Sequence, residues 1–164
     1  MKRLGFVDKN KIWKFVKGYE SKLNNEKWNG KVNSSGRKCI WLGVGVELGF
    51  KNKIFEGENI DNNLKKRINS IWGNEEWNSI LIYKYEVGVE LKLHRDRDIF
   101  GDKVIVINVS NDNLFGGNVE FIYEGNTEIL SNGEIIEFDN KKLHGVSKVS
   151  DERWSISIRK VNLK

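Results

Sequence analysis

The chain has only two histidines, and both fall where a metal site would use them. His94 opens the run His94-Arg95-Asp96. His144 lies well downstream, shortly before Arg153-Trp154-Ser155-Ile156-Ser157-Ile158-Arg159. Two imidazoles and one carboxylate occupy one face of a six-coordinate ion and leave three adjacent positions open, an arrangement suited to non-haem Fe(II). The same donors also suit Zn, Mn or Ni, so the choice of iron leans on the other residues. A downstream arginine can hold the distal carboxylate of an organic co-substrate that chelates the ion, because guanidinium meets carboxylate through two parallel hydrogen bonds. A lone His-x-Asp is equally the solvated end of a surface strand. The joint pattern, with no histidine to spare, carries the metal reading.

The elements must bring these groups together. His94 and Asp96 are spaced to share one face of a strand, and His144 is expected to begin the second ligand-bearing strand, at the opposite edge of the fold. In the last segment Arg153, Ser155, Ser157 and Arg159 alternate with Trp154, Ile156 and Ile158. Turned inward, the polar face makes a pocket for a dicarboxylate; turned outward, it is an ordinary amphipathic strand in water. Tyr85, separated from His94 by a turn at Gly88, offers a phenol either to the co-substrate or to the core.

The 164 residues make one domain, 1–164, large enough to bury a core without staples. The single cysteine, Cys39, excludes an internal disulfide framework and suits a reducing compartment. No apolar leader and no run of about 18 apolar residues is present, which predicts a cytoplasmic or nuclear protein, not a secreted or membrane one. A net charge of +5 suits a polyanionic partner, although a chain rich in Lys, Asn and Ile with no proline also reflects A/T-rich coding.

Helical spacing predicts a first helix over Lys9–Leu23 and a second over Asp61–Trp72, the latter capped by Asp61 and stopped at Gly73. Between them, Asn24–Gly36 reads as a surface loop, and Lys38–Phe50 as a strand pair or irregular lid broken by glycines. From Ser79 the period becomes two. Short strands are expected over Ser79–Glu86, Glu90–His94, Lys103–Ser110, Asn118–Tyr123, Thr127–Leu130, Glu134–Phe138, Val146–Val149 and Arg153–Val161. The fold class is therefore mainly β with flanking helices (α+β): a double-stranded β-helix, or jelly roll, with two N-terminal helices packed on one sheet. Residues 1–76 form helical support and a short substrate lid, and 77–164 the core.

The stretch Trp77-Asn78-Ser79-Ile80-Leu81-Ile82-Tyr83-Lys84-Tyr85-Glu86-Val87-Gly88, followed by His94-Arg95-Asp96-Arg97-Asp98, resembles the AlkB-like Fe(II)/2-oxoglutarate dioxygenases. Arg37-Lys38-Cys39-Ile40-Trp41-Leu42-Gly43 is similar to the segment before that family's substrate lid. Gly133-Glu134 and Arg153-x-Ser155-x-Ser157-x-Arg159 echo its downstream signatures. The resemblance, covering about Arg37 to Lys160, implies that His94, Asp96 and His144 bind Fe(II). It implies that Arg153 grips the far carboxylate of 2-oxoglutarate, with Tyr85, Ser155 and Arg159 around it, and that Asp98 faces the target base. Tyr83 and Ser155 stand where the family has asparagines at the co-substrate, and the lid is short. Trp41 is the candidate platform for a flipped base or a core tryptophan, and Arg37 a candidate phosphate contact.

Phe115-Gly116-Gly117-Asn118-Val119-Glu120-Phe121, with His144-Gly145-Val146-Ser147-Lys148-Val149 and Arg153, also resembles the prolyl-4-hydroxylase-like branch of the same superfamily. The resemblance implies O2 as oxidant and hydroxylation of a C–H bond. On an N-methyl base of DNA or RNA this removes formaldehyde; on a protein or small molecule the alcohol persists. A zinc or nickel cupin-like protein on the same roll, and a catalytically silent nucleic-acid-binding module, are the readings from other classes.

Overall fold

The computed structural model describes residues 1–73, 76–111 and 118–163. The chain opens with a strand, β1 (Lys2–Phe6), then helix α1 (Lys9–Lys17) and three short strands, β2 (Asn24–Asn25), β3 (Lys27–Trp28) and β4 (Lys31–Val32). Strands β5 (Arg37–Glu47) and β6 (Lys53–Glu56) lead to helix α2 (Asn62–Trp72). The core strands are β7 (Ser79–Tyr85), β8 (Leu91–His94), β9 (Phe100–Ser110), β10 (Val119–Tyr123), β11 (Asn126–Leu130), β12 (Glu134–Asp139), β13 (His144–Val146) and β14 (Arg153–Val161). A major antiparallel sheet runs β1-β12-β9-β14-β7-β5-β2, with β6 paired to β5, and a minor sheet runs β11-β10-β13-β8. This is the expected jelly roll, mainly β.

Strands β7, β9 and β14 are buried on both faces, which accounts for their apolar density. One face packs on the helices: Ile80, Ile82, Ile105, Ile107, Trp154, Ile156 and Ile158 meet Val16, Ile68 and Trp72. The other face turns into the roll, where Leu81, Tyr83, Tyr85, Val104 and Val106 meet Phe121, Ile136, Phe138 and Val146. Arg153, Ser155 and Ser157 are 3–4% exposed, so the polar face of β14 points inward and not into water.

Both helices are anchored by aspartate caps: Asp8 accepts from the Lys11 N–H at 2.9 Å and Asp61 from the Leu64 N–H at 2.8 Å. Gly73 ends α2 with φ +91°, as its position predicts. The first helix is shorter than expected. It stops at Lys17, Gly18 caps it, and one 3₁₀ turn over Glu20–Lys22 follows. Tyr19 still packs on Phe15, which explains why the helical spacing overran.

Other expectations are corrected. The 24–36 stretch is not a plain loop, since β2 pairs with β5 and β3 with β4. Asn29 and Gly30, both at positive φ, turn the β3–β4 hairpin, the pairing that a tight hairpin demands. Lys38–Phe50 is no strand pair. It belongs mostly to one long strand, β5, held by β7 along its length and by β6 at its end. Gly43 lies inside it because a Cβ there would meet the Asn78 carbonyl and Ile60. Strands β1 and β6 were not foreseen, and the strand after β12 begins at His144, as expected of the second ligand, but ends at Val146 instead of running to Val149. No helix among the described residues is long and apolar enough to cross a membrane.

Candidate active site

Strands β8 and β13 are antiparallel neighbours in the minor sheet, with His94 directly opposite His144. The two rings are 4.5 Å apart between centroids. They are adjacent, therefore, and not contributed from opposite edges of the roll. Each ring is oriented by the same local device. The His94 Nδ1–H donates to the Lys92 carbonyl and the His144 Nδ1–H to the Lys142 carbonyl, both at 2.8 Å. A carbonyl only accepts, so the ring hydrogen sits on Nδ1 and Nε2 keeps the lone pair a metal would take.

Asp96 is not on the strand, which ends at His94. The following turn carries it. Its N–H donates to the Asn140 carbonyl at 2.9 Å, and the Lys141 ammonium clamps the same turn through the carbonyls of Arg97 and Phe100 at 2.7 and 2.9 Å. Asp96 Oδ1 then lies 3.1 Å from His94 Nε2 and 3.4 Å from His144 Nε2. One donor atom from each of the three residues falls within 4.8 Å of the others, so a single ion with bonds of about 2 Å fits among them. The other carboxylate oxygen pairs with Arg159, whose guanidinium lies over the Phe100 ring at 4.9 Å. Burial alone would raise the Asp96 pKa. The Arg159 charge outweighs it and holds the carboxyl well below the usual range. Expected beside the co-substrate, Arg159 instead has its guanidinium on the metal ligand.

Facing this cluster, the inner side of the major sheet forms three rungs. Arg37, Tyr85, Arg153 and Ser110 are in register across β5, β7, β14 and β9. So are Cys39, Tyr83, Ser155 and Asn108, and then Trp41, Leu81, Ser157 and Val106. Arg153 is buried. Its Nε–H donates to Asn108 Oδ1 at 2.9 Å, and its guanidinium lies 4.7 Å from the Tyr85 ring centroid. Among the described residues no carboxylate pairs with it. Burial depresses its pKa, Tyr85 opposes that shift, and nearby Arg37 adds to it. A buried guanidinium without an anion is costly, and this one lines the cavity, where an anionic ligand would offset that cost.

Between the sheets lies a cavity of about 840 Å³, in the range of small-molecule sites, walled by the histidines, Asp96, Tyr83, Tyr85, Arg153 and Ser155. Trp41 lines it and stacks on Phe100, with ring planes 6° apart. Two expected contributors are not placed as expected. Asp98 is exposed and does not line the cavity. Arg37 is no surface cation: its side chain is 10% exposed, paired with Glu26 and stacked 4.1 Å over Tyr83. The Phe115-Gly116-Gly117 segment lies outside the described residues. The sequence reading also passed over Asn108 and Glu26. A lone amide inside Val104-Ile105-Val106-Ile107-Asn108-Val109 was a usable signal for the first; nothing local marked the second.

No protein-family model and no curated protein matches the chain. Solved structures do. OsALKBH1, an AlkB homologue, aligns with TM-score 0.68 at 12% identity over 94% of both chains. A Pseudomonas putida prolyl-4-hydroxylase aligns with TM-score 0.63 at 16% identity, over 98% of this chain and 91% of its own. A Trichoplax adhaerens prolyl hydroxylase, solved with a hypoxia inducible factor peptide fragment, gives TM-score 0.59 at 14% identity over 93% and 77%. The fold is thus that of the AlkB and prolyl-hydroxylase structures.

Proposed function

We propose that this protein is an Fe(II)- and 2-oxoglutarate-dependent dioxygenase that hydroxylates a substrate C–H bond. The observation that carries the reading is one cavity holding both an oriented His94/Asp96/His144 cluster and, on its facing wall, a buried guanidinium with no carboxylate among the described residues. Bound there, Fe(II) with 2-oxoglutarate and O2 would supply the oxidant for the C–H bond and release succinate and carbon dioxide. The residues do the rest. His94, His144 and Asp96 hold the ion, and Arg159 keeps Asp96 ionised and aimed. Arg153, steadied by Asn108, grips the distal carboxylate, with the Tyr85 hydroxyl and Ser155 beside it. Leu81, Val106, Phe121 and Ile136 line the cavity with apolar groups that exclude water.

For the substrate we favour an alkylated base of DNA or RNA, demethylated oxidatively. Support comes from the cavity rim, where Lys27, Lys92, Arg95, Arg97 and Lys148 outnumber the acidic Glu90, and where Arg97 lies 5.1 Å over the exposed Trp28. Such a rim suits phosphates and a stacked base. Hydroxylation of a protein or small molecule is the second reading, favoured by the two prolyl-hydroxylase structures that cover most of the chain.

The test follows the visible charge-transfer band of the Fe(II)–2-oxoglutarate chelate under anaerobic conditions, then succinate after oxygen is admitted. Arg153→Ala is expected to weaken 2-oxoglutarate binding at least about a hundredfold, the usual cost of losing one side of a buried charged pair. A wild-type protein with metal but neither band nor succinate would sink the dioxygenase reading. Formaldehyde from methylated oligonucleotides supports the base substrate, and a mass gain of one oxygen on peptides supports the second reading.

A further inference from the structure

An enclosed polar cluster outside the metal ligands is formed by Glu26, Arg37, Tyr83, Tyr85 and Arg153. Arg37 begins β5 and faces Tyr85 in register, while Tyr85 faces Arg153 on its other side. The Arg37 Nη1–H donates to the Tyr85 hydroxyl oxygen at 3.3 Å, and the Arg153 guanidinium lies 4.7 Å from the centre of the Tyr85 ring. Guanidinium groups have donors and no acceptor. The bond from Arg37 therefore uses the phenol oxygen as acceptor, and its single hydrogen is left to donate elsewhere. Tyr85 lines the cavity, so that hydrogen is free for an anion resting on Arg153.

The Arg37 guanidinium is itself held from two sides. Glu26 pairs with its Nη2 and the Tyr83 ring lies 4.1 Å beneath it, while the backbone N–H of Arg37 donates to Ser35 Oγ at 3.2 Å. Glu26 is fixed in turn by the Asn33 amide at 2.9 Å. A guanidinium so enclosed has no freedom to turn to a ligand. Its reach ends at the Tyr85 oxygen.

We infer that Arg37, locked by Glu26, is a positioning residue that aims the Tyr85 hydroxyl hydrogen at the carboxylate bound by Arg153. It thus tightens the co-substrate grip without touching the co-substrate. The inference rests on the dioxygenase reading and deepens it. It replaces a role for Arg37 at substrate phosphates.

The test is a double-mutant cycle read by 2-oxoglutarate titration of the anaerobic chelate band. Co(II) binding without 2-oxoglutarate, followed by its visible absorption, serves as the check on fold and metal site. Arg37→Lys keeps the charge but loses the fork that meets Glu26 and Tyr85 together. It is expected to raise the apparent Kd for 2-oxoglutarate about tenfold, the size of one charge-assisted hydrogen bond. Co(II) affinity is expected to hold. Tyr85→Phe should cost about the same, and the double variant little more than either single one. Glu26→Gln should give a smaller loss in the same direction. Additive losses in the double variant, an unchanged Kd in Arg37→Lys, or a parallel loss of Co(II) affinity would each overturn the inference. A wild-type protein with no chelate band would instead overturn the dioxygenase reading beneath it.

Discussion

His94 and His144 face each other across the minor sheet, yet the His144 side chain is 4% exposed and that of His94 37%. The Arg153 wall on the major sheet has no such asymmetry, with Tyr85, Arg153, Ser155 and Asn108 all buried. The difference follows from the layers. The major sheet is covered by helices on one face and by the minor sheet on the other, so its inward residues are fixed by packing on both sides. The minor sheet is covered only within, and β8 lies at its edge. The proposed co-substrate grip would thus sit on the rigid layer. The proposed metal would sit on the open one, where the local Nδ1–carbonyl bonds orient His94 with little packing around it.

That contrast can be broken most directly under the major sheet. Trp154 is fully buried between β14 and the helices. Trp154→Ala is expected to cost about 3–5 kcal/mol in denaturant unfolding, against less than about 0.5 kcal/mol for Ile129→Ala on the half-exposed outer face of the minor sheet. Equal costs would abolish the distinction between the layers.

At the metal end, His94→Ala and His144→Ala are each expected to weaken Co(II) binding by two orders of magnitude or more, since two donors remain where three held the ion. Only His144→Ala is expected to lower Tm as well, because its ring packs 4.9 Å from Phe138. A matching Tm loss in His94→Ala would show that β8 is as firmly held as β13. The smallest effect is expected at Asp98, which is exposed and away from the cavity wall. Asp98→Ala should change chelate formation and turnover less than about twofold, within the range of surface substitutions.

Much of the core was legible because its cues are local. The alternation of Arg153 to Arg159 and the apolar runs of β7 and β9 give strands whatever lies beside them. The Asp61 cap and the Gly73 stop bound α2 by the chain's own chemistry. The first seventy residues were less legible, because β1 and β5 are strands through pairing with the distant β12 and β7, and β2 and β6 only through pairing with β5. The β3–β4 hairpin was missed despite its Asn29-Gly30 cue. Among the site residues, Arg37 and Asp98 were placed by analogy of position, and no local cue could say that one faces Glu26 and the other the solvent.

By itself the sequence determined the residue types that can do the chemistry, the two-residue period that carries Arg153, Ser155 and Ser157 on one face, and the jelly-roll class. Periodicity and ligand chemistry are properties of neighbours in the chain. Only the tertiary structure decided that the polar face of β14 turns inward, because that required a second sheet to cover it. It also decided that Arg159 serves Asp96 and Arg37 serves Tyr85. A guanidinium takes whichever acceptor the fold brings within reach, and that acceptor comes from another strand.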